Sequence, residues 1–311
     1  MTAFHPQPIV LCYSNTFIPI NSNYDTSVSI DVGVFPNNEP MVKASGVDQS
    51  RALQYADTMV LRPNTFADFM AGIFLLEVMD RPINLILPLP YGSRMDRLML
   101  GKDDVRIFTA KSVAKILNST DLKRVVMFDP HSDVMPALVN RSEVVSASSV
   151  VTGTYPRMKP LYYDLREYDV VIAPDAGATK RSSEFADHIA ADVVQGFKVR
   201  DTSTGLISHY ELGKYDFSGK RVLVVDDICD GGATFEILAK SIPTSVSKLS
   251  LFVTHGLFTK GVRSLLAYYD RIFTTDSTLN ACNLESDVKS DCFSVIPVIR
   301  DAVERIGRQS Q

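Results

Sequence analysis

Short runs of wholly apolar residues recur along the chain, and the stretches between them carry apolar residues at helical spacing. Runs that are apolar at every position suit strands buried on both faces of a parallel sheet, and their alternation with helices predicts an α/β fold. Strands are expected at 9–12, 58–61, 85–88, 125–128, 170–173, 222–225, 251–254 and 272–274. Several of these runs end on polar residues: Asp129 and His131, then Asp175, then Asp226 with Asp227. Ligands of open α/β sheets bind beyond the carboxyl ends of the strands, so these groups are candidates for chemistry. A chain of 311 residues has room for two domains, each with its own core. A polar, mixed stretch at 141–154 marks the expected boundary, giving domains 1–145 and 146–311, and a last helix at 298–308 is a candidate to pack on the first of them.

The stretch 221–240, RVLVVDDICDGGATFEILAK, carries the clearest chemistry. Its apolar run is read as stopping at Asp226 and Asp227; a turn, Asp230-Gly231-Gly232-Ala233-Thr234, leads into a helix beginning with Phe235, Ile237 and Leu238. Glycines let the backbone approach a ligand, and the amides of a helix start point at an anion such as phosphate. The paired carboxylates would repel a phosphate; their natural partners are ribose hydroxyls or Mg²⁺. Phosphate and sugar diol together describe a ribose phosphate. The competing reading is an ordinary βα turn with solvated acids.

Other segments add candidates. Tyr91-Gly92-Ser93-Arg94-Met95-Asp96-Arg97 places two arginines beside an acid, and Phe128-Asp129-Pro130-His131-Ser132-Asp133 sets a histidine between carboxylates. Alone, these read equally well as a solvated loop and a structural histidine. Pro174-Asp175-Ala176-Gly177-Ala178-Thr179-Lys180-Arg181 repeats the combination of acid, glycine and helix start. In Lys198-Val199-Arg200, strand alternation puts both cations on one side, and Asp201-Thr202-Ser203-Thr204-Gly205 reads as a mobile loop able to close over a ligand. Two cations there suit the charge that develops as a phosphoryl group transfers.

Composition narrows the classes. The chain is 45% hydrophobic and 22% charged with a net charge of −4, which gives no reason to expect nucleic acid or an anionic membrane as partner. No apolar run approaches the roughly 18 residues of a membrane span, and MTAFHPQPIV lacks the regions of a signal peptide. Cys12, Cys229, Cys282 and Cys292 make no metal spacing and are expected to be reduced thiols in a cytoplasmic protein, Cys229 filling space rather than acting as a nucleophile. A Walker loop fails, since five residues separate Gly213 from Gly219-Lys220 where the pattern needs four, and Arg221 follows.

These segments, in this order, resemble the PRPP synthetases (ribose-phosphate diphosphokinases), a family with the type I phosphoribosyltransferase fold, from near the N-terminus to about residue 300. The resemblance implies two phosphoribosyltransferase-like domains, each a mainly parallel sheet flanked by helices. It also implies transfer of the β,γ-diphosphate of ATP to a ribose C1 hydroxyl. FPNNE is similar to FSDGE, which in the family contacts ATP across a subunit interface; Phe35, Asn37 and Glu39 are then ATP contacts and the chain a homo-oligomer. SRMDR is similar to ARQDR, adding Arg94, Asp96 and Arg97, and DPHS to DLHA, making His131 an ATP- and Mg²⁺-associated group. PDAGATKR is similar to PDxGGxxR and makes Asp175 a metal ligand, while KVR assigns Lys198 and Arg200 the transition-state role. DDICDGGAT is similar to the ribose 5-phosphate loop DDxxDTGGT: Asp226 and Asp227 hold ribose hydroxyls, and Asp230, Gly231, Gly232, Ala233 and Thr234 cradle the 5-phosphate.

The chain departs from the family pattern in places. Residues 98–108 are about three longer, Met95 and Val134 replace glutamines, Ala137-Leu138-Val139 replaces GFF, Gly231 replaces threonine and Ala233 glycine. Gly231 removes a hydroxyl and a wall around a terminal phosphate. Ribose 5-phosphate is the family's acceptor, and ADP-ribose, used by related enzymes of NAD salvage, is the alternative. A PRPP-consuming phosphoribosyltransferase and a catalytically inactive regulatory paralogue remain as further classes.

Overall fold

The computed structural model describes residues 9–13, 28–37, 39–45, 56–101, 104–151, 164–285, 288–289 and 291–309. The chain forms two compact units, one of Met1–Val144 with Ile299–Gln311 and the other of Val145–Val298. The second unit therefore stops at Val298 instead of running to residue 311. Of the expected boundary stretch, 152–154 lies outside the described residues.

The first unit is built on β1 (Ile9–Tyr13), β2 (Val28–Val34), β3 (Pro40–Ser45), β4 (Ala56–Leu61) and β5 (Ile83–Ile86). A short ribbon of β6 (Met99–Leu100) and β7 (Val105–Arg106) follows, then β8 (Leu122–Phe128) and β9 (Ser142–Val145). The sheet order is β3-β2-β1-β4-β5-β8-β9. The pairs β1–β2, β1–β4, β4–β5 and β5–β8 are parallel, and the β2–β3 hairpin is antiparallel. Helices α1 (Phe66–Glu77), α2 (Thr109–Ser119) and α3 (Val134–Leu138) accompany it. Their apolar faces bury Phe69, Leu75, Val113 and Leu117 against Met59, Leu61, Leu85 and Val125 of the strands. Each such side chain contributes roughly 1.5–3 kcal/mol of burial free energy.

The second unit begins with α4 (Ala147–Val151) and carries β10 (Val170–Ala173), β11 (Asp192–Arg200), β12 (Ile207–Leu212), β13 (Arg221–Cys229), β14 (Lys248–Gly256), β15 (Arg271–Thr275) and β16 (Phe293–Ile296). Its order is β12-β11-β10-β13-β14-β15-β16, parallel apart from the β11–β12 hairpin. Helices α5 (Thr179–Ile189), α6 (Ala233–Ser241) and α7 (Leu279–Glu285) follow strands of this sheet, and α8 (Val298–Gln309) closes the described chain. Both sheets thus share one topology: a hairpin on one edge, then a crossover that places the fourth strand next to the first.

All eight expected strands are present, most of them longer than their apolar runs. The strand read at 85–88 is placed at Ile83–Ile86. The hairpins β2–β3 and β11–β12 lie in mixed polar sequence that the apolar-run criterion passes over. The acid pair does not end its strand: β13 continues through Asp226 and Asp227 to Cys229, still paired to β14. Among the described residues, no helix is long and apolar enough to cross a membrane.

Candidate functional site

In the second unit, three consecutive features of β13 and α6 line up. Val222–Val225 are fully buried, and the strand then carries Asp226 and Asp227, the latter 5% exposed. Asp227 N–H donates to Asp226 Oδ1 at 2.9 Å. Burial raises the Asp226 carboxyl well above its ordinary range, the neighbouring Asp227 charge adds to that, and Arg181 pulls the other way. Arg181 lies 3.7 Å from Asp226 and 3.9 Å from Asp227. It reaches them from the first turn of α5, where the next residue, Ser182, anchors the helix by donating to the carbonyl of Val225 at 3.1 Å. Sequence reasoning passed over Arg181 as a site residue, although it closes the segment Pro174–Arg181; only the docking of α5 on β13 shows its role.

Beyond Cys229 the backbone turns at Gly232, whose φ of +83° lies in the left-handed region and whose Cβ position would sit 3.3 Å from Leu265. The left-handed φ favours glycine there, and a Cβ would press on the Leu265 side chain. Helix α6 starts from this residue with no side-chain cap. The equivalent helix of the first unit, α1 after β4, is closed by a capping box: Thr65 accepts from Asp68 N–H at 3.1 Å and Asp68 from Thr65 N–H at 2.9 Å. Two topologically matched helix starts therefore differ: one is capped by its own side chains, the other has no side-chain cap. Asp230 is held to the following loop, with Thr259 Oγ1 donating to its Oδ1 at 2.8 Å. Cys229 is fully buried, and burial, then the Asp230 charge, push its thiol up to about 12. An inert, space-filling role fits that environment.

Asp175, Lys198 and Arg200 belong to the same unit. Asp175 caps the short 3₁₀ turn Ala176–Ala178 by accepting from Ala178 N–H. Lys198 Nζ contacts Asp175 Oδ2 at 2.5 Å. Burial pushes the Asp175 carboxyl up, but the Lys198 ammonium with the Ala178 and Gly177 amides outweighs it and holds it below the usual range. The strand register shifts between Val199 and Arg200, so the expected alternation fails at that step. Lys198 turns to Asp175, whereas exposed Arg200 donates to the carbonyl of Gly205 at 2.9 Å. The loop between them and β12 is organised by Asp201 Oδ1, which accepts from the backbone N–H groups of Ser203 and Thr204, both at 2.9 Å, and from their hydroxyls. The Ser203 hydroxyl leads these contacts in lowering the Asp201 carboxyl to about 2. A carbon-detected NMR titration should therefore show Asp201 ionising near 2, with loop order kept above the unfolded value of about 4 and lost as pH falls through the lower one. A midpoint near 4 would remove the capping interpretation.

The first unit brings two of the sequence segments together. Burial pushes the Asp96 carboxyl up, but the Ser132 hydroxyl, Arg97 and His131 outweigh it and hold it low, so 91–97 and 131–132 share one neighbourhood. Asp96 is largely buried and accepts from Arg97 Nε at 3.2 Å; Arg94, Arg97 and His131 are exposed. Asp129, just before His131, is buried with φ 35°, an uncommon conformation for a non-glycine residue that turns the chain at the strand end. Phe35, Asn37 and Glu39 form the tip of the β2–β3 hairpin, closed by Phe35 N–H on Glu39 O at 2.9 Å and Glu39 N–H on Asn37 Oδ1 at 3.3 Å. Asn38 lies outside the described residues. Among the described residues, no three His, Cys, Asp or Glu side chains gather in metal-holding geometry. Mg²⁺ commonly takes only one or two carboxylates and completes its shell with water and substrate phosphates, so Asp175 fits such a role.

No protein-family model matches the chain. A Thermosipho africanus ribose-phosphate pyrophosphokinase is 23% identical over 290 residues, 89% of this chain and 86% of the relative. A Maricaulis maris protein of the same name is 23% identical over 241 residues, 75% of this chain and 73% of its own. A Streptococcus mutans protein that carries a ribose-phosphate pyrophosphokinase name reaches 26% over 230 residues, 72% of this chain and 67% of its own. The chain is a homologue of the PRPP synthetases. The crystal structure of the Mycobacterium smegmatis phosphoribosylpyrophosphate synthetase superposes with a TM-score of 0.74 at 16% identity, covering 97% of this chain and 100% of that one. That likeness shows the fold: two phosphoribosyltransferase-type α/β layers, as in the PRPP synthetases. The relatives named above all carry ribose-phosphate pyrophosphokinase names, which supports a transferase class.

Proposed function

We propose that the chain transfers the β,γ-diphosphate of ATP to the C1 hydroxyl of ribose 5-phosphate. The hydroxyl oxygen attacks the β-phosphorus, the bond from that phosphorus to the oxygen of the α-phosphate breaks, and AMP leaves. The hydroxyl proton passes to solvent, and PRPP is the second product. The observation that carries this reading is the uncapped start of α6, entered through left-handed Gly232 and preceded by the buried pair Asp226 and Asp227. Asp226 and Asp227 take the ribose hydroxyls, Asp230, Gly231, Gly232, Ala233 and Thr234 the 5-phosphate, and Lys198 and Arg200 the transferring group. No covalent nucleophile is required; positioning and charge supply the rate. Mg²⁺ would be held by Asp175 together with phosphate oxygens, with His131 associated, and would neutralise phosphate charge. Arg94, Asp96, Arg97 and His131 are the ATP contacts of the first unit, and Phe35, Asn37 and Glu39 serve the ATP site of a neighbouring copy in a cytoplasmic homo-oligomer.

A second acceptor, ADP-ribose, is favoured by one feature. Gly231 is not among the glycines of positive φ, and a Cβ there would meet nothing closer than the Lys260 stem at 3.5 Å. Neither conformation nor space demands glycine at 231, so its smallness serves something other than the fold. The test is AMP release from Mg²⁺–ATP offered ribose 5-phosphate or ADP-ribose, with product masses. Turnover of either establishes the transferase and names its acceptor. AMP from neither would overturn the reading and leave a regulatory paralogue or a PRPP-consuming enzyme.

A further inference from the structure

Tyr210 stands on β12 directly opposite Lys198 of β11 and is only 4% exposed. Its backbone N–H donates to Ser241 Oγ at 3.0 Å, and that hydroxyl donates to the carbonyl of Ile237 at 3.0 Å, which ties β12 to the last turn of α6. The ring belongs to the same buried core as Ile172, Val194 and Val224. Beside it, β11 carries Gly196. From the point where a Cβ of residue 196 would stand, Tyr210 Cδ1 is 3.5 Å away, and the carbonyl oxygens of Ala173 and Pro174 are 3.1 and 3.3 Å away. The ring and the end of β10, where Asp175 follows Pro174, therefore meet over Gly196. The hydroxyl at the far end of the ring is buried and has no hydrogen-bond partner among the described residues. Burial raises it above the ordinary phenol range, the Asp175 and Asp226 charges add to that, and Arg200 opposes them. It stays a neutral O–H donor in the neighbourhood of the two carboxylates assigned above to metal and ribose.

A buried donor without an acceptor costs the fold free energy, and native chains leave few such groups. A phenylalanine would fill the same core space without that cost, so the hydroxyl has its partner in a bound molecule. The surrounding chemistry selects the atom. Two carboxylates repel an anionic oxygen unless a metal stands between them, whereas a sugar hydroxyl can donate to a carboxylate and accept from a phenol at once. We infer that Tyr210 is an acceptor-binding residue whose hydroxyl donates to an oxygen of the ribose that Asp226 holds. This rests on the placement of the ribose given above, and it adds to that placement a side chain from a different strand. Tyr210 is also the cross-strand partner of Lys198, so one backbone pairing sets both the cation and the sugar donor.

Tyr210→Phe keeps the ring and removes only the hydroxyl. Calorimetry in Mg²⁺ on the wild type and this variant measures the dissociation constants of ribose 5-phosphate, ADP-ribose and inorganic phosphate, with Tm and AMP release followed in parallel. The variant should bind whichever ribose ligand the wild type binds about three- to tenfold more weakly, bind inorganic phosphate as before, and melt about 2 °C higher. In turnover the loss should fall on KM for the acceptor more than on kcat. Unchanged affinity for the ribose ligand, an equal loss for inorganic phosphate, or a wild type that binds neither ribose ligand would each overturn the inference. A lower Tm alongside the lost affinity would overturn it too, because the hydroxyl would then support the fold. AMP release with unchanged ribose affinity in Tyr210→Phe sinks this inference alone. Ribose binding that depends on the hydroxyl without any AMP release would instead sink the transferase reading and leave this one standing.

Discussion

Lys198→Ala is expected to lower kcat for AMP release by about 10²–10³-fold, with a small change in KM for either substrate. Charge on a transferring phosphoryl group is greatest in the transition state, so a cation placed for it acts on kcat rather than on ground-state binding. Lys198 is well placed for this because the antiparallel pairing of β11 with β12 sets it opposite Tyr210, half-buried, on a rigid strand instead of in the loop. Its ammonium meets Asp175, so the substitution also removes the contact that holds that carboxyl below its usual range. Asp175 would then need a higher pH to ionise, and the acid limb of the pH–kcat profile should move upward. Arg200→Ala provides the internal comparison. Its guanidinium bonds the Gly205 carbonyl and not Asp175, so the variant should lose rate to a similar extent while leaving the acid limb in place. Turnover unchanged in both variants would remove these residues from the mechanism.

Much of this arrangement was readable from residue order, and the failures have physical causes. The run 170–173 was found with its observed bounds because all four residues are buried on both faces, the one circumstance in which a strand announces itself without alternation. Asp226 and Asp227 were read as a strand end because charges rarely continue a buried run. The structure continues it by pairing Asp226 with Val253 across to β14 and by setting Arg181 beside both carboxylates. That compensation comes from a different helix, some forty-five residues away in sequence, and no local pattern encodes it. The shared topology of the two units was equally hidden. Matched positions carry unlike residues: Thr65 and Asp68 cap one helix, while Gly232 opens the other. The register shift between Val199 and Arg200 breaks the alternation expected from the sequence, and separates two cations expected to act on one side.

Arg181→Met tests whether the acid pair depends on that guanidinium, and it should cost about 3 kcal/mol of stability at pH 8, the lower end of what breaking a buried ion pair costs. The three side chains are 7–15% exposed, so solvent screening offsets little of the loss, and methionine preserves most of the stem's packing. The pH dependence distinguishes charge from shape. In the folded chain the Asp226 carboxyl is raised above its unfolded value, by burial first and by Asp227 second, so its ionisation works against folding above that raised value. This penalty is relieved as pH falls through it. Arg181 opposes the shift; without it the folded pair holds a proton to still higher pH. The deficit of Arg181→Met relative to wild type is therefore fully developed at pH 8, shrinks as pH falls, and is nearly gone below the unfolded carboxylate value of about 4. Urea unfolding of both proteins at pH 8, 6.5 and 5 reads this directly. A double-mutant cycle with Asp226→Asn should show the arginine's contribution reduced, the remainder belonging to its contact with Asp227. A deficit that stays constant across the pH series, or that survives intact in the Asp226→Asn background, would mean that Arg181 holds α5 against β13 by packing alone, and the acid pair would have to owe its ionisation to its ligand rather than to this residue.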